Sequence, residues 1–178
     1  MTLEKNVVDT MKEWQLKMGS FDTDIRLYYP KNSLCCYMET ERDIDNTILL
    51  QKIEEYIAAV MPYLRNVLIT VKNNRFCIRI SKEGCEYVEK NVPVPEFLSG
   101  LLEVLKEQNM DSMSAYFEEY AAIHNTSLYK KTDEDDGGTI FYFADEDVEP
   151  YVYCIDANEF GITYHRFTKK EYEELYTM

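Results

Sequence analysis

Apolar residues recur at spacings of three and four through most of the first two thirds of this chain. Leu3, Val7, Met11, Trp14 and Met18 predict a helix over about 2–18, with Thr2 placed to cap it and Gly19 to stop it. Ile25 to Tyr29 reads as a strand closing at Pro30, followed by a stretch through Cys35 and Cys36 that suits either a short helical turn or irregular chain. Asp45 precedes Ile48, Leu49, Ile53, Tyr56, Ile57, Val60 and Met61, a broad apolar stripe that predicts a core helix ending near Pro62. Ser81 is placed to cap a helix over about 83–90. After the break at Pro93 and Pro95, one helix runs through Phe97, Leu101 and Leu105, and another from Asp111 or Ser112 to Ile123.

Two regions alternate with a period of two instead. In residues 67–80, a turn at Asn73 and Asn74 pairs Val71 with Phe76, Ile69 with Ile78 and Val67 with Ile80 on one face, a consistent hairpin register. From Ser127 the runs 127–132, 139–144, 150–157 and 162–168 read as an antiparallel meander, and Thr168 as the cap of a last helix through Tyr176. A turn at Asn158 and Glu159 sets Tyr153 opposite Tyr164 and Ile155 opposite Ile162. The pattern predicts an α+β fold: helices and one β-hairpin in the N-terminal two thirds, then an antiparallel β-meander and a terminal helix. It is read as a single domain over 1–178, with a helix-to-strand seam at 125–127.

Composition bounds the function classes. With 46% hydrophobic and 13% aromatic residues the chain can bury a core, which excludes disorder. No apolar run reaches the roughly 18 residues of a membrane span, and the charged opening helix does not resemble a signal peptide. Five scattered cysteines then read as reduced thiols of a cytoplasmic protein. The net charge of −14, from 33 acids against 19 bases, favours a basic protein as partner. It disfavours nucleic acid unless positive charge is locally concentrated.

Candidate chemistry is sparse. No phosphate-binding loop, dinucleotide fingerprint, nucleophile elbow or zinc-hydrolase motif occurs, no cysteine spacing suits zinc, and no cofactor is expected. Lys72, Arg75 and Arg79 share the hairpin face opposite the apolar one, where they suit an anion or merely solvate a sheet. Cys85, just after Gly84 at a helix start, is a candidate nucleophile, with His124 or His165 as its base. Asp133 and Asp135 partly match a calcium loop, but position twelve is Ala144 instead of Glu, which favours a solvated turn. Tyr151, Tyr153 and Tyr164, flanked by Asp145 and Asp147, form a candidate partner surface of aromatic rings beside acids.

The opening helix followed by Ile25, Arg26, Leu27, Tyr28, Tyr29, Pro30 and a Ser-Leu stretch resembles a family of short proteins of unknown function from Gram-positive gut bacteria. The resemblance implies a bacterial cytosolic protein and carries no functional residue over. From the residues themselves, the leading expectation is a non-enzymatic acidic module that binds a basic partner, as antitoxins and immunity proteins do. The alternative is a small enzyme or ligand-binding domain with a pocket between sheet and helices, using Cys85, a histidine and the basic hairpin.

Overall fold

A computed structural model describes residues 1–19, 23–132 and 137–176, with 175 and 176 described by their backbone alone. The chain divides into two compact units, Met1–Pro95 and Glu96–Met178.

The first unit holds α1 (Leu3–Met18), β1 (Ile25–Pro30), α2 (Lys31–Tyr37), α3 (Asn46–Val60), β2 (Val67–Lys72), β3 (Arg75–Ile80) and α4 (Lys82–Asn91). Thr2, Asp45 and Ser81 cap α1, α3 and α4 through their side-chain oxygens, as the pattern predicts. Asn73 and Asn74 both take positive φ, 50° and 58°, so β2 and β3 close on the tight turn that matches strand twist, in the predicted register. β1 adds to the other side of β3, giving the antiparallel order β1-β3-β2. Ile25, Leu27, Tyr29, Ile69, Phe76, Ile78 and Ile80 point inward onto Leu3, Val7, Met11, Leu49, Ile53 and Val88. Trp14 and Met18, expected on the buried stripe of α1, are 39% and 70% exposed, because the core contact of that helix ends after its third turn.

The second unit holds α5 (Glu96–Leu105), α6 (Met110–Ile123), β4 (Leu128–Thr132), β5 (Thr139–Phe143), β6 (Tyr151–Asn158), β7 (Gly161–Thr168) and α7 (Lys169–Tyr176). Its strands form the predicted meander, β4-β5-β6-β7, a separate sheet from the first. Phe97 and Phe117 anchor its core against Phe141, Phe143 and Tyr153. Thr168 and Glu171 close a reciprocal capping box at the start of α7.

Three further details differ from the sequence reading. α6 is capped by Asn109, whose Oδ1 accepts from Asp111 and Ser112, the two residues expected to cap it themselves. The β6–β7 turn is Glu159–Phe160, which pairs Tyr153 with Arg166 and Ile155 with Tyr164. Asn158 turns the chain by accepting from Phe160 N–H, Gly161 takes φ 123°, and Gln108 holds the backbone of Ile162. That is a shift of two positions in the partner strand, so every side chain keeps its face. The division between units falls at Pro95 and Glu96, not at 125–127, because α5 and α6 bury their apolar faces under the meander.

Candidate functional site

Alternation in β1, β2 and β3 sends every second side chain away from the first core, and no described element of this unit covers that side. Cross-strand pairing lays these residues out in three rows. Arg26 and Leu68 flank Arg79, Tyr28 and Thr70 flank Cys77, and Pro30 and Lys72 flank Arg75. The rows lie about 7 Å apart at antiparallel rise. All of these residues but Pro30, together with Asn73, line an open depression of about 560 Å³. Tyr28 is 61% and Leu68 53% exposed in it.

The electrostatics of this face run against stability. Like charges directly opposite on neighbouring strands repel, yet Arg26 faces Arg79 and Lys72 faces Arg75. Only Arg79 has an ion-pair partner among the described residues: its Nε and terminal nitrogen grip Asp24 at 2.8 and 2.5 Å. Asp24 also accepts from the Lys82 backbone N–H at 3.1 Å. The Arg79 hydrogen bond, then that N–H, hold the Asp24 carboxyl below the usual carboxylate range. A second depression, of about 770 Å³, shares Arg26, Tyr28 and Arg79 with the first and continues to Trp14, Met18 and Lys82.

Lys72, Arg75 and Arg79 thus stand together as the hairpin register places them. Sequence reasoning missed Arg26 and Tyr28, although the alternation of Ile25, Leu27 and Tyr29 against them was there to read. What it lacked was the pairing of β1 with β3.

The other candidates fare differently. Cys85 is 1% exposed, and burial pushes its thiol up to about 11, which disfavours the thiolate that a nucleophile needs. His124 ends α6 with its ring on Tyr120, centroids 4.1 Å apart, while His165 sits opposite Cys154 on the sheet face turned away from Phe117. Tyr151 and Tyr153 are buried, and Tyr164 is half-buried against the same core. Tyr151 and Tyr153 are core residues, not a partner surface, because β6 is an interior strand and its odd positions join the core under α5 and α6, whereas Tyr164 sits on the edge strand β7. The Tyr153 hydroxyl donates to the buried Glu149 at 3.2 Å, and burial with that carboxylate raises its pKa. Asp145 and Asp147 are exposed and form a turn in which Asp145 accepts from Asp147 N–H at 2.9 Å. Asp133 and Asp135 lie outside the described residues. Among the described residues, no three potential metal ligands converge, and no helix is long and apolar enough to cross a membrane.

A family model described as "Domain of unknown function, E. rectale Gene description (DUF3877)" matches residues 1–176. The chain belongs to this family. The resemblance read from the opening helix and β1 is borne out, and one family domain spans both compact units. No curated protein and no solved structure matches the chain.

The two units of this family member differ sharply in charge. Met1–Pro95 has 13 bases against 14 acids, a net of −1, whereas Glu96–Met178 has 6 against 19, a net of −13. The bare sheet face is therefore a concentration of positive charge on a nearly neutral body.

Proposed function

We propose that the protein is a non-enzymatic binding module whose working surface is the bare face of the first sheet, taking a ligand with closely spaced anionic groups. The observation that carries this reading is the pair of like-charged cross-strand contacts, Arg26 with Arg79 and Lys72 with Arg75. Lys72 with Arg75 costs stability in the free protein and is relieved by an anion between the two, whereas Asp24 already offsets part of the Arg26–Arg79 repulsion. Cys85, the nucleophile that the catalytic alternative calls on, is buried and lines neither depression. Titration with inorganic polyphosphate tests the proposal. The wild type binds, and the double variant Lys72→Glu with Arg75→Glu loses at least about tenfold in affinity while keeping its fold. Equal polyphosphate affinity in the wild type and the double variant overturns it.

A second reading is favoured by the −13 of the second unit: this unit neutralises a basic protein, in the manner of an antitoxin or immunity protein. Capture from native lysate at low and at high salt tests it. Recovery of a basic protein that high salt releases supports it, and recovery of none at either ionic strength counts against it.

A further inference from the structure

We infer that the anionic ligand of the bare face is single-stranded nucleic acid, held with a base on Tyr28 and its phosphates on the charged rows to either side. This rests on the reading of that face as an anion surface and adds the identity of the ligand. The face is banded: a row with Arg26 and Arg79, a middle row with Tyr28, and a row with Lys72 and Arg75. The outer rows lie about 14 Å apart at antiparallel rise, more than one backbone repeat of an extended single strand, so they meet phosphates that are not adjacent.

The residue types point the same way. Three of the four cations are arginines, whose planar guanidinium matches phosphate oxygens two at a time. Tyr28 stands 61% exposed in the middle of a charged face, where a flat partner with a π-surface gains most. A peptide of acidic residues would satisfy the arginines and leave that ring unused. A duplex would present phosphates but keep its bases stacked away from Tyr28. The adjoining depression continues from it, with Trp14 39% exposed beside Arg26, Lys82 and the Arg79–Asp24 pair, which is space for a neighbouring base. The acidity of the whole chain does not forbid this. Its first unit, which carries the face, is nearly neutral.

Fluorescence anisotropy with a labelled oligouridine of about eight nucleotides tests the inference, with polyphosphate and an oligo-glutamate peptide as competitors. Tyr28→Leu weakens oligouridine binding roughly five- to 100-fold, the worth of one stacked base, and leaves polyphosphate binding unchanged. Tyr28→Phe restores the oligonucleotide, which separates stacking from loss of fold. Three or four phosphate contacts give a log–log salt slope of about −2 to −3. If Tyr28→Leu leaves oligouridine affinity intact, or if oligo-glutamate outcompetes it, the nucleic-acid inference is overturned while polyphosphate binding still upholds the anion surface. If polyphosphate fails as well, both readings fall.

Discussion

The first sheet buries one face and leaves the other bare, whereas the second buries residues on both. In β5 and β6, Phe141 and Tyr153 face the helices α5 and α6, and on the opposite side Ile140 and Val152 are buried too, with α7 packed along β6 and β7. In β1, β2 and β3, every core residue is on one side and four cations occupy the other. A sheet covered on both sides has spent its side chains on packing. A sheet with one charged, aromatic and uncovered face retains the means to bind. The charge of the two units sharpens the contrast: the acidic unit offers solvation over much of its surface, and the near-neutral unit concentrates positive charge in one place.

The largest effect that tests this contrast is in the second core. Phe97→Ala removes a ring that meets Tyr116, Phe117, Tyr120, Phe143 and Tyr153. It is expected to cost about 3–5 kcal/mol, with loss of hydrogen-exchange protection confined to Glu96–Met178. Loss of protection in α1 and α3 as well would break the division into two units.

Gly84→Ala comes next, in the first unit. An added Cβ would meet the Leu64 carbonyl oxygen at 2.5 Å and Ile80 Cγ2 at 2.9 Å, so α4 must move away from Leu64 and the end of β3. The expected destabilisation is about 1–3 kcal/mol by denaturant melting, and a neutral result would show that α4 packs loosely there.

Tyr153→Phe removes the hydroxyl that donates to buried Glu149 and is expected to cost roughly 1–2 kcal/mol. A functional tyrosine on an exposed surface would instead show no stability change, so this variant checks the reassignment of Tyr153 from partner surface to core.

The smallest effect is at Asp24. Its carboxyl is held below its ordinary value in the folded state, so its contribution is fully present above the unfolded value and fades as pH falls through the lowered folded one. Asp24→Asn is therefore expected to lower the melting temperature slightly at neutral pH, with the difference from wild type vanishing at the acid end. Because it also frees Arg79, the same variant is expected to bind polyphosphate more tightly. Unchanged or weaker binding would show that Arg79 takes no part in the face.

Much of the fold was legible in the chain because it rests on local rules. Thr2, Asp45, Ser81 and Thr168 cap the helices that their positions announce, and Asn73 with Asn74 sets the hairpin register because few other dipeptides accept two positive φ values. The turn after β6 was misplaced because Asn158, Glu159, Phe160 and Gly161 allow two settings of equal parity. The choice falls to Gln108, fifty-four residues away from the Ile162 it holds. The partner surface was misjudged for a related reason. Alternation groups Tyr151 with Tyr153, but it does not say which side of a sheet the helices will cover.

Local patterning by itself determined which residues form helices and strands, and which of them lie on the same side. It also placed Lys72, Arg75 and Arg79 on one face, since the period of a strand is built into its backbone. Tertiary structure alone decided that β1 joins that hairpin and brings Arg26 and Tyr28 beside those cations, that α5 and α6 bury the tyrosines, and that Cys85 is closed to solvent. Those outcomes depend on contacts between segments far apart in sequence, whose free energies come from surface that is buried only when the whole chain has assembled.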